Sequence, residues 1–133
     1  MKKKILFLCT GNAARSQMAE GLARAFHGDD YDVLSAGSRP AGWVHPNAIA
    51  ALAEIGIDIS DAYSKSADAF INEDFDIVIT VCDSAAADCP TWPGAKRIEH
   101  WPIEDPTWGE GNAQERFAKT RDELKKRIAE LLA

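Results

Sequence analysis

Apolar positions along this chain fall into two kinds of run. Ile5-Leu6-Phe7-Leu8 and Phe75 to Val81 (FDIVITV) are near-continuous apolar stretches of strand length, the pattern of strands buried on both faces. Tyr31 to Ala36 is a shorter strand closed by Gly37, and Lys96 to Trp101 is a fourth. Between them the period changes. From Arg15 to His27, Met18, Leu22 and Phe26 fall four apart on one helical face, and Gly28 offers a stop. Pro46 to Glu54 reads as a second helix, with proline in its first turn and Gly56 just past its end. Ser66 to Ile71 reads as a short helix capped by Ser66 that runs into a turn at Asn72-Glu73-Asp74. Ala113 to Leu132 is the longest helix, with Phe117, Leu124, Ile128, Leu131 and Leu132 on one face and Glu115–Lys119 as a favourable pair. Asp83 to Pro93 is ambiguous, since its alanines favour helix while Pro90, Pro93 and Gly94 interrupt one.

Strands that alternate with helices imply an α/β fold with right-handed crossovers. The pattern predicts one domain over residues 1–133, a small doubly wound four-stranded parallel sheet flanked by helices. No repeat or linker divides the chain. In such folds the active crevice lies beyond the carboxyl ends of the strands. Cys9 and Cys82 each end a strongly apolar strand. If those strands are neighbours, their axes lie about 4.8 Å apart and the two thiols share one edge.

The first strand runs through Cys9-Thr10-Gly11-Asn12-Ala13-Ala14-Arg15-Ser16 into the first helix, which places Cys-x5-Arg-Ser at a strand-to-helix junction. Such a junction gathers backbone N–H groups at the positive end of a helix dipole. Arg15 adds a planar fork of donors suited to a tetrahedral oxyanion. A thiol in that field is expected to ionise readily, because the site stabilises the thiolate. Gly11 and Asn12 both tolerate positive φ where the chain wraps around a ligand. The expectation is a nucleophilic Cys9 aimed at an oxyanion held by Thr10, Gly11, Asn12, Ala13, Ala14 and Arg15. The plainer alternative is that Cys9 is only a small core hydrophobe at a strand end.

Composition narrows the partners. The net charge is −6 and no basic stripe with interleaved aromatics occurs, which argues against nucleic acid. Lys2-Lys3-Lys4 precedes an apolar run far too short for a signal peptide, and no stretch is long enough to span a bilayer. A cytoplasmic monomer with no membrane partner is expected. Three cysteines, Cys9, Cys82 and Cys89, in a chain without an export signal point to catalytic or redox thiols rather than a disulfide framework. Their spacing does not suit zinc, and the reading calls for no metal and no cofactor. His45 and His100 are expected to be caps or solvated. Trp92, Trp101 and Trp108 are expected to pack in the core or at a rim, with a border on a docking face as the alternative.

The Cys9-x5-Arg15-Ser16 loop, the Cys82-x6-Cys89 pair and Asp105-Pro106 together resemble the thioredoxin-coupled arsenate reductases, whose fold is that of the low-molecular-weight protein tyrosine phosphatases. The resemblance covers essentially the whole chain, and the second cysteine pair is its most specific part. It implies attack of Cys9 on arsenate, with Ser16 stabilising the thiolate, Arg15 and the loop amides holding the oxyanion, and Asp105 protonating the departing hydroxyl. Cys82 would then attack Cys9 and release arsenite, and Cys89 would attack Cys82. The Cys82–Cys89 disulfide would be reduced by thioredoxin. Phosphate and sulfate would be substrate analogues. Across residues 82–89 a continuous helix would separate the α-carbons by roughly 10 Å, whereas a disulfide needs about 4.4–6.8 Å. Asp83 to Gly94 is therefore expected to bend or unwind on oxidation. Asp105-Pro106 also has a simpler alternative, a turn whose carboxylate bonds nearby amides.

The chain departs from the family pattern in two places. Some members carry a further cysteine in the loop, where this chain has Ala13-Ala14. Some bind potassium through residues matching Asn12, Glu20 and Ser35, with an acidic residue where Lys65 aligns. A lysine there disfavours a cation and its ammonium can replace one. Two rival functions share the scaffold. One is a low-molecular-weight phosphatase using Cys9, Arg15 and Asp105, although Thr107-Trp108 stands where the phosphatases typically have tyrosines. The other is a non-catalytic oxyanion-binding module, which leaves the three thiols unexplained.

Overall fold

A computed structural model describes residues 2–70, 72–81, 92, 94–107 and 109–132, and among these residues seven strands and α-helices are formed. Strand β1 covers Lys3–Cys9, helix α1 Arg15–His27, β2 Tyr31–Gly37, α2 Pro46–Ala53, β3 Phe75–Thr80, β4 Ala95–His100 and α3 Ala113–Leu132. The strands form one sheet in the order β2-β1-β3-β4, and every pairing is parallel. Strand β1 is therefore central. Its alternate residues go to opposite faces: Ile5 and Phe7 join one core and Leu6 and Leu8 the other. Both faces being buried is the reason its apolar run has no polar break.

The larger core lies under α1, α2 and α3. Met18 and Leu22 of α1, Leu52 of α2 and Phe117, Leu124 and Ile128 of α3 pack there with Ile77 and Ile79 of β3. Helices α1 and α2 approach so closely that a Cβ at Gly21 would lie 2.6 Å from Leu52 Cδ1 and 2.7 Å from Ile59 Cγ2. Glycine there permits the approach. The smaller core, on the other face, holds Val78, Ala36, Phe75 and Trp92, with the Trp92 ring edge-on to Phe75 at 5.7 Å. At the other end of the strands Lys4 N–H donates to Asp76 Oδ2 at 2.8 Å. That bond holds the Asp76 carboxyl below its ordinary range.

Several boundaries and faces differ from the sequence reading. Burial along α1 ends at Ala23, so Phe26 lies beyond the core, half exposed, with Lys125 Nζ of α3 5.0 Å from its ring centroid. Gly28 stops α1 while still right-handed, at φ −63°. The segment after Ser66 is a single 3-10 turn, Ala67–Phe70, none of whose four residues is buried, with Ser66 Oγ taking the Asp68 amide; Ile71 lies outside the described residues. The fourth strand is shifted by one residue to Ala95–His100. On α3 the i,i+4 ion pair forms at Glu123–Arg127, 3.3 Å, rather than at Glu115–Lys119. Arg121, hidden within the α3 stripe, is buried; its Nη1 donates to Ala51 O at 2.8 Å and to Glu54 Oε2 at 2.9 Å. It thus puts a cation at the C-terminal end of α2, where the dipole favours one. Residues 82–91 and 93, which include Cys82, Cys89 and the whole of the ambiguous segment but Trp92, lie outside the described residues, as does Trp108; the expected unwinding of Asp83 to Gly94 falls on them. Among the described residues no helix is long and apolar enough to cross a membrane.

Candidate active site

Cys9 is the last residue of β1, on the central strand and at the carboxyl edge of the sheet. Its sulfur is almost fully buried, at 3% exposure, and two donors converge on it. The Asn12 amide donates to Sγ at 3.1 Å, and Ser16 Oγ lies 2.8 Å away. Asn12 Nδ2 donates to that same Ser16 oxygen at 2.8 Å. With a lone pair so occupied, the Ser16 hydroxyl is oriented to give its hydrogen to the sulfur. This is the environment a thiolate needs.

The turn between β1 and α1 is tied down carbonyl by carbonyl. Ser38 N donates to Cys9 O at 3.2 Å, Arg39 N to Thr10 O at 2.9 Å, Ala41 N to Gly11 O at 2.8 Å and His45 N to Ala13 O at 2.8 Å. Asn12 O accepts from Gln17 Nε2 at 3.1 Å. In a trans peptide the C=O and N–H point in opposite directions. Five carbonyls held outward therefore leave the N–H groups of residues 10 to 14 facing the opposite way. The Asn12 N–H, on the sulfur, confirms the sense of that rotation. Helix α1 begins at once, and its N-cap residue Ala14 makes no side-chain cap bond, which leaves the first-turn amides for an anion.

Asn12, not Gly11, takes the left-handed conformation, with φ +49°. Of the two residues able to tolerate positive φ, Asn12 is the one that uses it. Asparagine serves because its side chain is a buried hub. Nδ2 bonds Ser16 and also Ser35 Oγ at 2.9 Å, and Oδ1 accepts from Lys65 N at 2.7 Å and Gln17 Nε2 at 2.9 Å. Gly37, opposite Cys9 in β2, is required by proximity, since a Cβ there would stand 2.6 Å from Thr10 O.

The open side of the loop is faced by the chain after β4. Arg15 Nη1 donates to Ile103 O at 2.9 Å, and its Nη2 is 4.0 Å from Asp105 Oδ2. Asp105 is thus brought to the site. Its other oxygen accepts from Thr107 N at 2.9 Å and Thr107 Oγ1 at 2.7 Å. The turn role and a place beside Arg15 coexist, one on each carboxylate oxygen.

Behind the loop lies a charge cluster centred on the buried Glu20. Ser35 Oγ donates to Glu20 Oε1 at 2.6 Å. Lys65 Nζ reaches the same oxygen at 3.3 Å and Arg24 Nη2 reaches Oε2 at 3.3 Å. The Lys65 ammonium therefore places a fixed positive charge directly on the Glu20 carboxylate. No cluster of metal-ligating side chains occurs among the described residues. Activity is expected to be the same in potassium and sodium chloride at matched ionic strength; a clear stimulation by potassium would mean that Lys65 gives way to the ion.

His45 caps α2 through Nδ1, which accepts from Asn47 N at 3.1 Å, and its ring lies between Trp43 and Phe117. His100 Nδ1 is 2.6 Å from Thr80 Oγ1. Trp92 and Trp101 are buried. Sequence reasoning missed Gln17 and the 38–45 segment. The only signal for either was a polar residue on the inward side of an apolar helix and a loop directly following the neighbouring strand.

The chain matches the low molecular weight phosphotyrosine protein phosphatase family over residues 4–133. It is 48% identical to an arsenate reductase of Halalkalibacterium halodurans over 130 residues, 96% of this chain and 93% of that one. The chain belongs to this phosphatase family, among its arsenate reductases. Among solved structures it is similar to an arsenate reductase in the phosphate binding state, with a TM-score of 0.84 and 37% identity over 99% of this chain and 97% of that one. It is also similar to a thioredoxin-dependent arsenate reductase of Corynebacterium glutamicum, with a TM-score of 0.74 and 37% identity over 98% of this chain and 60% of that one.

Proposed function

We propose that this protein reduces arsenate to arsenite through Cys9 and is re-reduced through Cys82 and Cys89 by a dithiol protein of the thioredoxin class. The observation that carries the reading is the buried Cys9 sulfur under two donors, at the floor of a loop whose carbonyls are all turned away. Arsenate would rest on the loop amides and the Arg15 guanidinium. The Cys9 thiolate attacks arsenic and an arsenic-bound hydroxyl departs, taking its proton from Asp105. The Cys82 thiolate then attacks the Cys9 sulfur. The sulfur–arsenic bonding pair stays with arsenic, which leaves as arsenite, and the two sulfurs are oxidised to a disulfide. Cys89 attacks Cys82 and restores Cys9, and thioredoxin supplies the two electrons that open Cys82–Cys89. Support for the middle step comes from the sheet: β3 lies beside β1, and Val81, which precedes Cys82, donates to the carbonyl of Leu8, which precedes Cys9, at 2.8 Å.

The deciding assay is arsenate-dependent NADPH oxidation with thioredoxin and its reductase. The wild type should turn over continuously, and Cys89→Ser should stop after at most one arsenite per chain. A wild-type chain that remained a trithiol after one equivalent of arsenate would overturn the reading. The family match keeps a second activity in view, hydrolysis of phosphate monoesters. That reaction needs Cys9, Arg15 and Asp105 alone and should survive Cys82→Ser.

A further inference from the structure

Four of the five outward carbonyls of the oxyanion loop are held by backbone amides of residues 38–45, and the fifth, Asn12 O, is not. It belongs to the peptide that follows the left-handed residue, where the chain changes direction before α1. Among the described residues its one donor is Gln17 Nε2 at 3.1 Å. The same nitrogen donates to Asn12 Oδ1 at 2.9 Å and to Tyr63 O at 2.8 Å. Two hydrogens thus serve three acceptors. The other end of the amide is used quite differently. Gln17 is 1% exposed, yet its Oε1 finds no donor among the described residues. A buried acceptor without a donor is unfavourable, and an apolar side chain of the same length would avoid it. Only the NH2 end explains why glutamine stands here.

We infer that Gln17 is a positioning residue for oxyanion binding: by holding the Asn12 carbonyl outward it turns the Ala13 N–H toward the bound oxyanion. This deepens the proposed function, since it rests on the loop being an oxyanion site. The Cys9 environment itself would be largely independent of Gln17. The Asn12 side chain keeps Ser16, Ser35 and Lys65 N when Gln17 Nε2 is removed.

The test uses the whole chain, with inorganic sulfate as the probe because its charge is constant between pH 5 and 8. The dissociation constant is read from protection of Cys9 against iodoacetamide. Gln17→Met removes all donors and also the unpartnered oxygen. It should leave Tm within about 3 °C of wild type while weakening sulfate binding about fivefold to tenfold. KM for arsenate should rise by the same factor with kcat changed less than twofold, the mark of a contact made equally in ground and transition states. Gln17→Glu keeps the shape but has no donor at neutral pH. Its sulfate affinity should fall further at pH 7.5 and recover as the introduced carboxyl protonates, a recovery over and above whatever pH dependence the wild type shows in the same titration. Unchanged sulfate protection in a folded Gln17→Met variant would overturn the inference. Absence of protection in the wild type would instead remove the oxyanion site itself.

Discussion

A Cys9→Ser variant is expected to lose single-turnover arsenate reduction by a factor on the order of 10^4 or more, the scale on which removing a covalent nucleophile acts. Its fold should be almost untouched. Serine is slightly smaller than cysteine, and the new hydroxyl would meet groups already aimed at the sulfur, the Asn12 N–H at 3.1 Å and Ser16 Oγ at 2.8 Å. A buried hydroxyl with both partners in place is well tolerated. Anion binding should persist and even tighten, because a neutral hydroxyl no longer opposes the incoming oxyanion as a thiolate does. Rapid-quench measurement of arsenite, alongside sulfate titration and a melting curve, separates the three effects. If arsenite still formed at more than a hundredth of the wild-type rate, another sulfur would be the first nucleophile.

Arg15→Lys is expected to lower kcat/KM for arsenate by about 10^2 to 10^3, the loss typical of one donor removed from a preorganised oxyanion site. The charge is conserved, so the loss measures geometry. The guanidinium already gives one arm to Ile103 O at 2.9 Å and holds another 4.0 Å from Asp105 Oδ2. It thereby ties the loop after β4 to the mouth of the site with a rigid, planar fork of donors. A lysine ammonium is a single point that cannot span Ile103 O and the anion together. Both substrate binding and the placement of Asp105 should suffer. Steady-state kinetics on the two forms settles it, and a loss of threefold or less would mean that the loop amides bind arsenate without the fork.

The fold was largely legible because each strand and helix carries its own period. The Phe75 run and the Ala113 helix were readable from apolar spacing alone, since each buries what it displays. Strand order followed only in part: alternation implied a parallel sheet, but the neighbour relation of β1 and β3 depends on crossovers that leave no local trace. At the site, Cys9, Arg15 and Ser16 were legible through their spacing across a strand-to-helix turn. What could not be read were groups acting through the backbone. The amides of Ser38, Arg39, Ala41 and His45 carry no residue code, and neither does the alignment of the Lys65 amide with Asn12. Gln17 and Arg121 were obscured for another reason: each is a polar side chain in a buried stripe, and periodicity counts such positions as solvent-facing. Phe26 is the converse, an apolar residue whose helix extends past the core.

The segment from Ser38 to His45 resembles an ordinary surface connection, with two glycines or prolines among eight residues and little buried side chain. Connections of that kind usually accept added or deleted residues without harm. This one cannot be treated so. Its amides are matched to carbonyls one or two positions apart on the facing loop, so a single inserted residue would put every later partner out of phase. Length, more than side-chain identity, is what this stretch must keep, and anyone grafting a new specificity onto the rim of the site has to vary its letters while leaving their number alone.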